Sequence, residues 1–427
     1  MAIAFIVAIL ALVAYLLLAH RYGAVLCLLT VFPIIISLLY EALGIEGLNV
    51  ITQYVLLLAV VILNINKVVH NLTNIWKHPL SILFYILIFV IFLHNYYIVG
   101  GALNNEDIAT FQLNIFLRMV IPYVILLILA KERNILDDFC HSMPMWGAVF
   151  MAVFLVLIGI DNVDVSDRLT LQEETGVDSI SLSRFGAIIL LSAFLNAISD
   201  KGRLKYIYFA IALGGLFILI LAGQRGVIIG VVAAILAALV FIRMKKTQKK
   251  RLWVVVIGIG IAVIALLSTA EFEILHRFKG NIIEQQQYGR IADYGIAWNV
   301  FQQCGIVKGL GSMGYMEYTN GTRPYPHSLL LELMAEYGIV GLIYALSLII
   351  GGSIMALKIM GRKNINLYDM DIALIWIALL FSVLVSGSFL TNSIFIIISG
   401  ALILVYQRKG LKKFAIYRKK HEDRTKQ

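Results

Sequence analysis

The stretch LAGQRGVIIGVVAAILAALVFI, Leu221 to Ile242, decides the fold. After Arg225 it is an unbroken apolar run, and a second apolar run, 206–222, leads into it. Gln224, Arg225 and Gly226 therefore form a short turn between two membrane spans. A guanidinium fixed at a bilayer surface can donate two parallel hydrogen bonds to phosphate oxygens. The alternative is an interfacial arginine that snorkels to lipid headgroups. Gly226 lets the backbone turn tightly, and Gly223 and Gly230 allow the flanking helices to approach closely.

Outward from this pair the same pattern recurs along the chain. With 61% hydrophobic and 14% charged residues in 427, the sequence cannot be arranged as a soluble globule. Apolar runs fall at 2–19, 23–40, 51–66, 80–99, 111–130, 144–161, 184–199, 206–222, 227–243, 253–269, about 338–358, 371–385 and 389–406. The expectation is an all-α polytopic membrane protein of about 12–13 transmembrane helices. The first run has no charged segment before it and no small-residue cleavage site, so it is expected to be retained.

The net charge of +10 is mostly a topology signal. Most lysines and arginines fall in alternate loops, at Arg21, Lys67, Lys77, Lys131, Arg133, residues 201–205, the RMKKTQKKR run 243–251, residues 358–363 and the tail after 406. Those loops are assigned to the cytoplasm, and the RMKKTQKKR run is taken as a cytoplasmic anchor rather than a lipid-binding switch. Nothing in the composition calls for nucleic acid. The expected organisation is 1–269 as spans with short loops, 270–337 as one large outward loop, 338–406 as the last spans and 407–427 as a basic tail. A second, acidic outward loop covers 162–183. Cys27, Cys140 and Cys304 are scattered, with no disulfide expected and no zinc-type spacing. A P-loop, a dinucleotide fingerprint and a nucleophile elbow are all missing from the sequence.

The large loop carries two further segments. In YGRIADYGIAWNVFQQCGIVKGLGSMGY, Tyr288 to Tyr315, residues Arg290, Tyr294 and Trp298 recur at helical spacing. One face of a helix after Gly289 would present a cation beside aromatic rings, as packing or as a platform for a sugar. Lys308-Gly-Leu-Gly-Ser312 supplies a glycine turn. In RPYPHSLLLELMAEYGIVGLIYALSLI, Arg323 to Ile349, Pro326 stiffens the entry to a helix whose first exposed turn would hold His327 and Ser328. Leu329, Leu330, Leu333 and Met334 would form its apolar face, with Glu332 and Glu336 on a polar one, before Gly338 and Gly341 bend it into the membrane. A histidine there is either a cap or a group able to take a proton from a hydroxyl near neutral pH.

Taken together and in this order, the arginine-glycine step, the GR-to-W stretch ending in a G-x-G turn, and the Pro-His segment followed by Glu336-Tyr-Gly-Ile-Val-Gly341 resemble the superfamily of O-antigen ligases and O-antigen polymerases. The resemblance covers roughly residues 180–400. It implies a GT-C-like bacterial membrane glycosyltransferase, multi-pass in the inner membrane, with its large loop in the periplasm. It further implies an undecaprenyl-diphosphate-linked glycan as donor, with the lipid bilayer and a chain-length regulator or flippase of the same pathway as partners, and no cofactor or metal. Arg225 and Arg290 then look like the arginines that hold the diphosphate, and His327 like the family's loop histidine. Arg184, in DSISLSRFG, and Arg323 are further substrate-binding candidates, with Tyr294 and Trp298. The family shows asparagine after that histidine where this chain has Ser328.

The expected reaction is inverting transfer of the glycan, with repeat units joined to one another as a polymerase does. Attachment to lipid A core by a ligase is the alternative, and movement of the lipid-linked glycan by a flippase is a second. The acidic segment Asp161 to Asp167 is the one candidate for a hard cation.

Overall fold

A computed structural model describes residues 2–41, 43–45, 47–98, 105–158, 179–199, 202–241, 282–303, 309–362 and 365–424. Its helices are α1 (Ala2–Leu18), α2 (Tyr22–Thr30), α3 (Ile34–Glu41), α4 (Leu48–Leu63), α5 (Ile65–Asn71), α6 (Pro79–Ile98), α7 (Asn105–Ile115), α8 (Ile121–Leu129) and α9 (Arg133–Ile158). They continue as α10 (Ser179–Ser199), α11 (Leu204–Ala222), α12 (Arg225–Phe241), α13 (Ile282–Gln303), α14 (Gly314–Tyr318), α15 (Leu329–Met360), α16 (Leu367–Val385) and α17 (Ser393–Arg424). Among the described residues no strand occurs, and the chain is an all-α polytopic membrane protein. Among the described residues six helices or joined helices are long and apolar enough to cross a membrane, eight if each of two bent pairs is one span, and four shorter apolar helices accompany them.

Where they are described, the apolar runs lie mainly on helices, the longest exceptions being the break after Thr30 and residues 389–392, which belong to the loop before α17; the run 253–269 falls outside the described residues. The acidic segment 161–167 with its cation hypothesis, Arg168, Cys304, Lys308 and the 243–251 anchor also fall outside them. Two runs are bent: α2 and α3 meet at 67°, and α4 and α5 at 79°. Pro33 lies at the first break, where its missing N–H cannot continue the helical ladder. Between α7 and α8 the span widens into a π-helical turn, Phe116–Val120, that carries Arg118.

Other helices begin earlier than their apolar runs because their polar first turns find partners. Asp138 of α9 pairs with Arg21 and accepts the Ala24 N–H at 2.9 Å. Asp137 pairs with Arg408 at 2.8 Å, and Asp369 of α16 pairs with Arg362 and Arg408. These pairs gather at one end of the bundle. α16 spans 19 residues from Leu367 to its other end at Val385, roughly 28 Å at the helical rise, close to the thickness of a bilayer core.

Within the bundle α10 packs along α11 and α12 along α16. The second contact uses the Gly226 and Gly230 pair: a Cβ on Gly230 would lie 2.1 Å from the Ala378 carbonyl oxygen. Small residues four apart let two backbones meet in a membrane where no aqueous hydrophobic effect drives them together. Trp146 and Trp376 are fully buried with their indole N–H groups bonded to the Ala24 carbonyl at 2.7 Å and the Ser399 hydroxyl at 2.9 Å. Around this core Phe89, Tyr206, Ile229 and Val240 are exposed, as lipid contact requires.

Candidate active site

Arg225 is the first residue of α12 and is half-buried. Gly223 caps α11 in the left-handed conformation at φ 64°, which turns the chain back at once and brings Gln224 against α10. The Gln224 N–H donates to the Ser183 hydroxyl at 3.3 Å, and its side-chain amide donates to Ser179 at 3.0 Å. The first turn of α10 thus fixes the turn that carries Arg225.

Arg184, the next residue of α10, is 1% exposed. Its guanidinium donates to the Ser382 hydroxyl at 2.9 Å, the Thr391 carbonyl at 2.7 Å, the Ser386 carbonyl at 3.4 Å and the Asn392 side-chain oxygen. This candidate for substrate binding is bonded to Ser382 of α16 and to the Ser386–Asn392 loop between α16 and α17. Burial makes an arginine without partners prohibitively costly, and this loop supplies them.

α13 carries Arg290, Tyr294 and Trp298 on one face, as their spacing predicts, although the helix begins before Gly289. Arg290 and Trp298 are exposed and Tyr294 is half-buried. Asp293, on the buried side, pairs with Arg323, which also donates to the Gly289 carbonyl at 2.9 Å. The Tyr315 hydroxyl reaches the Asp293 carboxylate at 3.3 Å. Arg323 is therefore engaged with α13 and binds the loop before α15 to the helix that carries Arg290.

His327 lies at the end of that loop. It was expected in the first helical turn, but α15 starts at Leu329 with Ser328 as its extended N-cap, and His327 stands before it at φ 54°. A left-handed backbone at a residue other than glycine costs of order 1–3 kcal/mol and persists where surrounding contacts impose it, frequently at functional sites. The Tyr325 ring meets the imidazole edge-on, with centroids 4.6 Å apart. Burial pushes the imidazole below its usual pKa, and the nearby positive charge of Arg290 pushes in the same direction, then Asp293 opposes and Arg323 adds to it. The neutral, proton-accepting form is favoured.

The expected polar face of α15 is not exposed. Glu332 and Glu336 are each 2% exposed, because the Ser386–Asn392 loop covers one side of the helix start and residues 309–315 the other. Glu332 accepts the Phe389 N–H at 2.8 Å. The helix then breaks at Tyr337 and Gly338, the latter at φ 57° and ψ −139°, a conformation open in practice only to glycine. The glycine turn after Lys308 docks here: the Leu310 and Gly311 N–H groups donate to the Ala335 and Glu336 carbonyls at 3.0 and 2.8 Å. A broken helix leaves carbonyls short of donors, and this turn provides them.

The structure thus gathers His327, Arg290, Arg323 and Asp293, and places Arg225 at the same end of the bundle through the Ser386–Asn392 loop. Sequence reasoning missed Asp293, Ser179, Ser183, Glu332 and that loop. For the loop one local signal existed, the Gly387-Ser-Phe-Leu-Thr-Asn-Ser393 run of turn-forming residues between two spans. Among the described residues no cluster of three metal-ligating side chains occurs.

No curated protein matches the chain. Residues 207–346, which run from α11 through Arg225, Arg290 and His327 into α15, match the family model described as O-antigen ligase, the family that the motifs of this segment resemble.

Proposed function

We propose that the protein is a glycosyltransferase that joins undecaprenyl-diphosphate-linked repeat units at the periplasmic face of the bacterial inner membrane, as an O-antigen polymerase. The observation that carries this reading is His327, held left-handed at φ 54° at the end of the loop that Arg323 ties to the Arg290 helix, inside the segment that matches the family. In the reaction the acceptor hydroxyl oxygen attacks the anomeric carbon of the donor glycan from the face opposite the diphosphate. The bond from that carbon to the phosphate oxygen breaks, and the configuration inverts. His327 takes the hydroxyl proton, while Arg225 and Arg290 hold the charge that develops on the departing diphosphate. Tyr294 and Trp298, on the Arg290 face of α13, offer rings on which a sugar can rest.

The polymerase reading draws on the DSISLSRFG segment at the start of α10 and on Ser328 after the histidine. A second reading, transfer of the glycan to lipid A core, is favoured by the description of the matching family as O-antigen ligase. Purified protein in lipid nanodiscs, given a defined undecaprenyl-diphosphate-linked repeat unit with or without lipid A core, separates the two. Longer chains on undecaprenyl diphosphate are expected without the core acceptor. Product only when core is present would establish the ligase instead, and glycan that crosses a vesicle membrane with no new bond would establish a transporter. Arg225→Ala, Arg290→Ala and His327→Ala should each slow transfer by about 10²–10³, and turnover should be the same with and without EDTA.

A further inference from the structure

The Ser386–Asn392 loop is held from two sides by side chains that lie far from it in sequence. From α10, Arg184 bonds to Ser386, Thr391 and Asn392. From α15, Glu332 accepts the Phe389 N–H at 2.8 Å, and Phe389 itself is fully buried. Gly387, at φ 80°, leaves no room beneath the guanidinium, since a Cβ there would lie 3.0 Å from an Arg184 terminal nitrogen and 2.7 Å from the Thr391 hydroxyl.

Each anchor is also one step from a residue of the candidate site. Ser183, which precedes Arg184, accepts the Gln224 N–H and so fixes the turn that presents Arg225. Val385, which precedes the loop, packs on Gly226, where a Cβ would come within 2.4 Å of its side chain. On the far side, the Glu332 N–H donates to the Ser328 carbonyl at 2.9 Å, closing the helical turn that follows His327. A carboxyl group at 2% exposure is a costly way to accept one N–H, and an apolar residue would fill the space at lower cost. What the carboxyl adds is a fixed distance between α15 and the loop.

We propose that Arg184 and Glu332 are positioning residues which, through the Ser386–Asn392 loop, set the separation between Arg225 and His327, and so the reach from the donor's diphosphate to the acceptor hydroxyl. The proposal rests on the functional reading above. It makes Glu332 an acceptor for the Phe389 N–H rather than a participant in proton transfer. A displacement of the order of 1 Å between reacting groups costs about 10²-fold in rate, whereas a diphosphate held by two arginines tolerates it in the ground state.

The experiment measures kcat, the donor KM, the pH profile and the thermal midpoint for the full-length protein in nanodiscs, with undecaprenyl-diphosphate-linked repeat unit as the probe. Glu332→Ala and Arg184→Gln should lower kcat by about 10- to 100-fold with the donor KM little changed. Glu332→Gln keeps an oxygen for the Phe389 N–H and should restore most of kcat, with an unshifted pH profile. Trp376→Phe, which removes the buried bond to Ser399 away from the loop, serves as the control for general softening. Wild-type kcat in Glu332→Ala overturns the proposal, as does Glu332→Gln no more active than Glu332→Ala. An equal loss of kcat in Trp376→Phe at a matched thermal midpoint also overturns it. If Arg225→Ala, Arg290→Ala and His327→Ala all transfer glycan at the wild-type rate, the site itself is misassigned and the positioning role falls with it.

Discussion

Arg323 binds Asp293 across 30 residues of chain, and this one pair ties the loop that ends in His327 to the helix that presents Arg290. The arginine is about a third exposed, so solvent screens the pair and its net contribution to stability is about 0–1 kcal/mol. On the His327 imidazole its two charges act in opposite directions, Asp293 raising the pKa and Arg323 lowering it.

That effect has a sign that can be measured. Burial first, then Arg290, hold the His327 pKa below its usual 6.5. A neutral imidazole is the base, so transfer is present above this pKa and is lost as the pH falls through it. Arg323→Gln removes one cation that lowers the pKa and leaves the Asp293 carboxylate, which raises it, without its ion-pair partner. The acid limb of kcat/KM should therefore move to higher pH. A limb that stays in place or moves down would detach His327 from the proton transfer.

Arg225 and Arg290 differ in what surrounds them, the first half-buried at a helix start and the second exposed on a helix face. Loss of a preorganised donor to developing charge is worth about 2.7–4 kcal/mol in the transition state. Lysine keeps the charge and lacks the planar fork that matches a phosphate. Arg225→Lys and Arg290→Lys should accordingly turn over faster than the alanine variants and slower than wild type in the same nanodisc assay. Wild-type kcat in both lysine variants would show that neither arginine binds as a fork.

Gly338 marks the step from the loop layer into the span. At φ 57° and ψ −139° it adopts backbone that costs other residues about 1–3 kcal/mol, and the carbonyls on its N-terminal side are held by Leu310 and Gly311. Gly338→Ala should lower the thermal midpoint and loosen the turn after Lys308, seen as faster amide exchange at Gly311. An unchanged midpoint would mean that the break can straighten into continuous helix.

Much of this architecture was legible in the sequence because its signals are local. Apolar runs of bilayer length specify helices, and Glu336-Tyr-Gly-Ile-Val-Gly341 announces the break that Gly338 makes. The four-residue spacing of Arg290, Tyr294 and Trp298 gives their common face. What stayed hidden depends on partners distant along the chain. Glu332 and Glu336 read as a solvated face, since nothing local says that residues 386–392 will cover one of them. The partners of Arg184 stay hidden for the same reason: its acceptors lie at Ser382, Ser386, Thr391 and Asn392, about two hundred residues further on. His327 falls two residues before the helix because Pro326 does sit near a helix start, but the left-handed backbone at His327 and the extended one at Ser328 delay the first turn to Leu329.

The contact of α12 with α16 allows a last distinction, between two glycines that serve the same interface. A Cβ on Gly230 would meet the Ala378 backbone, with its carbonyl oxygen at 2.1 Å, whereas one on Gly226 would meet the end of the Val385 side chain at 2.4 Å. Backbone cannot turn aside and a valine methyl can. Gly230→Ala must push the helices apart, at the ~1–3 kcal/mol typical of overpacking, and should lower the thermal midpoint more than Gly226→Ala. Gly226 adjoins both Arg225 and the residue that leads into the Ser386–Asn392 loop, so a shifted Val385 is felt at the site. Gly226→Ala should then lose more kcat than its thermal midpoint implies, measured against Gly230→Ala in the same preparation. If kcat follows the thermal midpoint alone in the two variants, the α12–α16 contact holds the bundle together without setting the place of Arg225.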